Sequence, residues 1–248
     1  MTAPVFLCPA AADAAVGDLV PLDGPEARHA LTVQRRGVGE VIDLADGHGR
    51  RAGGPIHEIG DGWLKVQVQQ VSDDADPSVT LVQALAKGGR DEQAVESCVE
   101  LGVTGVVPWQ ADRSIVQWRG PKAEKARAKW ESLVLAAMKQ SRRAFLPEVD
   151  SVVTTGELVS LVKASVAAGE RVLVLHEVAA QPLTRLAWEG PTQPITIIVG
   201  PEGGVSDAEI SRLTEVGAEP VLLGPHVLRA ANAGPAAVAA LAALRSTW

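Results

Sequence analysis

From residue 79 onward the chain alternates short apolar, β-branched runs with longer segments of helical period, and this alternation limits the fold more than any other feature. Residues 79–85, 103–107, 171–175, 195–199 and 221–223 have strand length and composition. Between them, residues 91–101 pair Ala94 with Cys98 and Val95 with Val99 at i, i+4 and stop at Gly102, as a helix does. From Pro121 to about Arg143 an apolar stripe of Ala126, Trp130, Leu133, Val134 and Ala137 predicts a second helix. Residues 155–168 end at Gly169; residues 206–216 open with a capping box from Ser206 to Glu209 and close at Gly217. Pro235 is expected to begin a last helix rich in Ala and Leu, with Asn232 as its cap. Strands joined through helices make a largely parallel sheet covered on both faces. The fold class is therefore α/β, and its ligands gather beyond the carboxyl ends of the strands.

Residues 1–72 read differently. Leu64, Val66 and Val68 alternate with Lys65, Gln67 and Gln69, the period of a half-buried strand. The run 46–54 holds four glycines and reads as a hairpin loop between two such strands. Residues 72–78 contain no apolar side chain larger than alanine, so the domain boundary is expected there, with 1–72 as one domain and 73–248 as the other.

Composition excludes several classes. Two cysteines, Cys8 and Cys98, form neither a disulfide framework nor a four-ligand zinc site, and the five histidines show no i, i+3 or i, i+4 pairing, so no metal is expected. No stretch approaches the roughly 18 apolar residues of a membrane span. A soluble, cytoplasmic protein without membrane partners is the expectation. The net charge of −7 argues against a polyanionic partner, yet residues 113–143 carry nine Lys and Arg against two Glu. That local excess of +7, with a second group at Arg28, Arg35, Arg36, Arg50 and Arg51, reads as an RNA footprint or as solvated helix faces.

Three strand-end loops carry unusual residues: His176-Glu177, Gly200-Pro-Glu-Gly-Gly204, and the segment from Gly224 to Gly234. Three glycines within five residues let backbone approach a flat ligand closely. Neither phosphate cradle fits. No lysine follows Lys163, as a Walker loop would need, and Gly200, Gly203 and Gly204 lack the dinucleotide spacing. Ser206 is accounted for as a helix cap, and no nucleophile elbow is present. What remains is a site for an uncharged planar ligand held by backbone and small apolar side chains.

The runs at 197–204 (Ile-Ile-Val-Gly-Pro-Glu-Gly-Gly) and 223–229 (Leu-Gly-Pro-His-Val-Leu-Arg) resemble the signature loops of the SPOUT methyltransferases. More narrowly they are similar to the ribosomal small subunit RNA methyltransferase E family, which modifies uridine N3 in 16S rRNA. Arg28 to Glu40, Glu100-Leu-Gly-Val103, Asp112-Arg-Ser114 and Gln140-Ser-Arg-Arg143 followed by Pro147 extend the resemblance over nearly the whole chain. It implies a PUA-like, RNA-binding β-barrel over 1–72 and, over 73–248, a SPOUT α/β domain with a deep trefoil knot. That second domain would supply cofactor binding, catalysis and dimerisation. It implies S-adenosylmethionine as cofactor, 16S rRNA in the small ribosomal subunit as partner, and a homodimer. Carried over residue by residue, Leu175, His176, Glu177, Gly200, Pro201 and Glu202 would contact the cofactor, as would Gly204, Leu223, Gly224, Val227 and Leu228. Arg229 would serve catalysis, and Arg28, Arg35, Arg36, Arg113, Arg142 and Arg143 would bind RNA. Glu202 can equally be a base or a carboxylate at a helix N-terminus, and His176 and Glu177 can equally be an exposed loop pair. One departure stands out: the family's Leu-Arg-Thr-Glu-Thr-Ala is here Leu228-Arg-Ala-Ala-Asn-Ala233, so any role of those hydroxyl and carboxylate groups does not carry over.

Overall fold

Two units make up the computed structural model, which describes residues 3–248. One runs to Asp76 and takes in Leu135–Leu146; the other holds Pro77–Val134 and Pro147–Trp248. The first unit is built on strands β1 (Val5–Leu7), β2 (Leu19–Leu22), β3 (Val41–Ala45), β4 (Arg50–Gly60), β5 (Trp63–Gln67) and β6 (Gln70–Asp73), with a short helix α1 (Gly24–Arg28). Their order is β1-β3-β4-β5-β2, with β6 on β4. β4 serves three ladders: residues 51–55 pair with β3, residues 50–53 with β6, and residues 56–60 with β5 across a register shift between Ile56 and Glu58. Such a bulge bends the strand.

Gly53 and Gly54, expected in a hairpin loop, lie inside β4. At Gly54 a Cβ would run into the Gln67 carbonyl, so the close approach of that backbone demands glycine there. The true turn is 46–49, where the Asp46 carboxylate accepts the backbone N–H of His48 (2.7 Å) and Arg50 (3.0 Å). The closed barrel expected here is not formed: among the described residues no ladder joins β1 to β2. Pro21 stands in β2, has no N–H to donate, and suits that strand to an edge.

The expected boundary at 72/73 falls inside β6. Arg50 reaches Asp73 (2.9 Å) and Arg51 reaches Asp74 (2.7 Å), which holds the polar stretch against the unit. Leu135–Leu146 belongs here because Met138 and Ala144 close a small core with Val5 and Ala45, and Lys139 Nζ pairs with Glu26 at 2.7 Å.

The second unit carries β7 (Val79–Ala84), β8 (Gly105–Gln110), β9 (Glu148–Val149), β10 (Val153–Thr154), β11 (Arg171–Leu175), β12 (Ile195–Val199) and β13 (Glu219–Val221). Its helices are α2 (Arg90–Glu100), α3 (Pro121–Gln140, whose last residues belong to the first unit), α4 (Thr155–Ala167), α5 (Asp207–Glu215) and α6 (Ala230–Leu244). Every ladder is parallel, in the order β10-β8-β7-β12-β11-β13 with β9 on β8. Val82, Trp109, Val174 and Ile198 face a core shared with Leu158 of α4 and Leu213 of α5. Trp109 is fully buried, and truncating such a side chain to alanine costs about 3–5 kcal/mol. Helices α2 and α6 pack on each other; a Cβ at Gly234 would lie 3.1 Å from Cys98 Sγ, so α6 presses close on α2.

Three element ends differ from expectation. The strand expected at 103–107 begins at Gly105, because Val103 N–H still closes the turn of α2 on the Cys98 carbonyl (3.0 Å). α3 stops at Gln140 rather than at Arg143, and Arg142 takes a left-handed φ of 60°. α6 starts at Ala230, so Pro235 lies within it and forfeits one helix bond. Asn232 is inside that helix, and Arg229 holds the N-cap position without a side-chain cap. No helix among the described residues is long and apolar enough to cross a membrane.

Candidate active site

Strands β12, β11 and β13 lie side by side, and Leu175 is paired with Val221 while Val174 is paired with Ile198. Because all run parallel and end in register, the loops that follow them meet beyond one edge of the sheet. They enclose a cavity of about 500 Å³. Leu175, His176 and Glu177 border it after β11, and Gly200, Pro201, Glu202 and Gly204 after β12. Leu223, Gly224, Val227, Leu228 and Arg229 border it after β13. Every residue the sequence singled out as a cofactor contact, and Arg229 with them, thus faces one space.

The loop after β12 is fastened on all sides. A Cβ on Gly200 would stand 2.7 Å from Val205 Cγ2, so the turn closes only around glycine. Gly204, at φ +72°, donates its N–H to the Pro201 carbonyl (2.9 Å). Glu202 Oε1 accepts from Lys87 N–H (3.1 Å), in the connection from β7 to α2, and from Nη1 of Arg90 (3.0 Å), the first residue of α2. Asp91 holds that connection by accepting the Ala86 N–H (3.0 Å); burial pushes its carboxyl pKa up, and the amides of Ala86 and Glu92 pull it back. Arg113 Nη1 donates to the Gly203 carbonyl (2.9 Å) and lines the same cavity. Sequence reasoning missed Arg90 in this role. Its signal was a cation directly after two glycines at a strand end.

The loop after β13 contrasts with it. Residues 224–228 make no hydrogen bond. Val227 is 76% exposed, and a Cβ on Gly224 would meet nothing within 4 Å. Where α6 begins, Ala230 lines the cavity and, like Ala231, is buried, so this wall is made of methyl groups.

The residues named for RNA separate. Arg113 alone shares the cavity; Arg28, Arg35, Arg36, Arg142 and Arg143 belong to the first unit. Arg28 and Arg35 are exposed, whereas Arg36 is paired with Glu40 (3.0 Å). Arg143, with a side chain only 10% exposed, is locked to Asp76 at 2.7 Å, and the Arg142 carbonyl accepts from Arg51 Nη2 (2.8 Å). The basic window is largely spent in the same way: Arg127 pairs with Glu131, Lys129 with Glu92 and Lys139 with Glu26. Its excess of +7 therefore shrinks as an exposed surface feature to Arg113, which bonds only a carbonyl, and Arg119, Lys122 and Lys125. Among the described residues, no group of three or more His, Cys, Asp or Glu could hold a metal ion.

A family model described as an RNA methyltransferase domain matches residues 74–242, the part that carries all three loops. The ribosomal RNA small subunit methyltransferase E of Mycobacterium tuberculosis is 40% identical over 234 residues, which cover 94% of this chain and 89% of that protein. This chain belongs to the ribosomal RNA small subunit methyltransferase E family. The family member of Bacillus subtilis is 28% identical over 229 residues, covering 89% of this chain and 88% of that protein. The crystal structure of the family member from Neisseria gonorrhoeae, bound to S-adenosyl methionine, superposes with a TM-score of 0.84 at 28% identity, over 100% of this chain and 98% of that one.

Proposed function

We propose that this member of the family transfers a methyl group from S-adenosylmethionine to N3 of a specific uridine in 16S rRNA of the small ribosomal subunit, acting in the cytoplasm as a homodimer. The observation that carries the reading is the convergence of three strand-end loops on one cavity in a chain of this family. The residues present fit the cofactor. Its walls combine glycine backbone and small apolar groups with charged side chains at Arg90, Arg113, Glu177, Glu202 and Arg229, and the space beside Gly224 is open where a side chain would fill it. Gly200, Gly204, Leu223, Gly224, Val227 and Leu228 would hold its flat adenosyl part, with Leu175 and Pro201 completing the wall. Glu202, His176 and Glu177 would meet its polar groups.

When bound, S-adenosylmethionine would supply a methyl on a sulfonium sulfur, open to in-line displacement with the neutral sulfide as leaving group. N3 lies on the pairing edge, so the uridine must leave its duplex or stack before the reaction. The protein's task is to align N3 with that methyl and to weaken the hold on the N3 proton. Arg229, on the exposed lip of the cavity, would place its guanidinium near O2 or O4 and stabilise the charge that develops as the proton leaves. Ala230 and Ala231 can take no proton. The first unit, with Arg28 and Arg35 exposed, would act as a PUA-like RNA-binding part, joined by Arg36, Arg142 and Arg143. Arg113 would meet the RNA at the cavity itself. The same reading carries a deep trefoil knot in the second unit and a dimer contact, for which the exposed Val178 and Val227 on the cavity rim speak.

A second reading draws on Ala230 and Ala231: a non-catalytic RNA-binding or ribosome-assembly protein that keeps the fold. A SPOUT methyltransferase with another RNA target is the third. Tritiated S-adenosylmethionine with small subunits lacking the modification separates them. Label at uridine N3 supports the proposal. Label elsewhere supports the third reading, and RNA binding without label supports the second.

A further inference from the structure

Two helices of the second unit open with the same device. In α4, Thr154 caps the helix and Glu157 returns a bond to the Thr154 N–H; in α5, Ser206 and Glu209 do likewise. Glu157 is exposed, as a residue with only a capping task can be. Glu209 has no exposure at all. A buried carboxylate is expensive unless its oxygens are satisfied, and those of Glu209 are. Oε2 accepts the Ser206 N–H (2.9 Å), while Oε1 accepts both the Asp112 N–H (2.9 Å) and the Thr155 hydroxyl (2.8 Å). Trp109 Nε1 donates in turn to Thr155 Oγ1 (3.3 Å). Capping explains the bond to Ser206 and leaves the other two unexplained.

The Asp112 amide is the informative one, because the next residue is Arg113. That side chain crosses to the glycine turn, where Nη1 donates to the Gly203 carbonyl (2.9 Å), and a Cβ on Gly203 would already stand 3.2 Å from Arg113 Cβ. One N–H of the guanidinium is thus spent on the protein, which aims the remaining donors instead of leaving them to rotate. We infer that Glu209 is a positioning residue: through the Asp112 amide it fixes Arg113 on the cavity wall, where the free edge of the guanidinium receives a backbone phosphate of the RNA strand that presents the target base. Arginine contacts to phosphate set register and orientation, not sequence. This inference rests on the proposed methyltransferase function.

The test is steady-state methylation of unmodified small subunits by Glu209→Gln, Arg113→Ala and the double variant, with S-adenosylmethionine affinity measured by calorimetry. Either single change should raise KM for the subunits about tenfold and leave cofactor affinity within about twofold. The double variant should be no worse than the weaker single one, because Glu209 acts through Arg113. Ser206→Ala, which removes the cap hydroxyl and its bond to the Asp112 carboxylate (3.3 Å) but leaves the Asp112 amide held by Glu209, should lower Tm while KM stays within about twofold. Thr155→Val, which strips a hydrogen bond from the same oxygen, replaces Glu209→Gln if that variant does not fold; its KM should rise about threefold. The inference is overturned by multiplying KM effects in the double variant, by cofactor affinity falling in step with KM, or by a lowered Tm with KM unchanged. A wild-type protein that transfers no methyl to subunits defeats the functional reading instead.

Discussion

The loops after β12 and β13 border the same cavity and are held in opposite ways. The first is bound by Lys87, Arg90, Arg113 and its own turn. The second has no hydrogen bond over residues 224–228 and turns Val227 to solvent. Segments with few bonds and much exposed apolar surface are those that open locally at low cost. The difference teaches where adaptation has room: one wall is fastened by bonds within the protein, and the other is left without them.

If so, changes in the second loop should cost function and spare stability, and changes in the first should cost both. The largest effect is expected at Arg229. Arg229→Ala should lower methylation of unmodified subunits about 10²–10³-fold with Tm unchanged within about 1 °C; full activity, or a collapsed Tm, breaks the division. A matched glycine pair comes next. Gly200→Ala drives a methyl against Val205 and should destabilise by about 1–3 kcal/mol in denaturant unfolding. Gly224→Ala meets no protein atom, so it should leave stability intact while weakening cofactor binding in calorimetry. Glu202→Gln keeps an acceptor for the Lys87 amide but loses the half-exposed ion pair with Arg90, a loss of under about 1 kcal/mol. Val227→Ser should change stability by no more than about 0.5 kcal/mol, while sedimentation should show a weakening of the proposed homodimer.

Much of this arrangement was legible because its signals are local. The β-branched runs at 171–175 and 195–199 and the Ser206–Glu209 box specify their own elements, and parallel strands in turn bring their loops to one end. What was missed depends on partners far along the chain. Gly54 reads as a loop glycine until the Gln67 carbonyl is seen against it, and Arg143 reads as a surface cation until Asp76 is found beside it. Pro235 looked like a helix start because that is where proline is best tolerated. The helix begins five residues earlier, with Ala230 and Ala231 buried at its start. Glu209 showed its capping role in sequence and hid its larger one, since the Asp112 amide it accepts is 97 residues away.

Hydrogen–deuterium exchange with and without saturating S-adenosylmethionine tests most directly whether these two loops form the cofactor site. The bonded amides of Gly204 and Ser206 should exchange slowly in both states, and the amides of Gly224 and of residues 226–229 should exchange fast alone and become protected when the cofactor is added. Exchange at 224–229 that does not change on adding the cofactor would contradict the account.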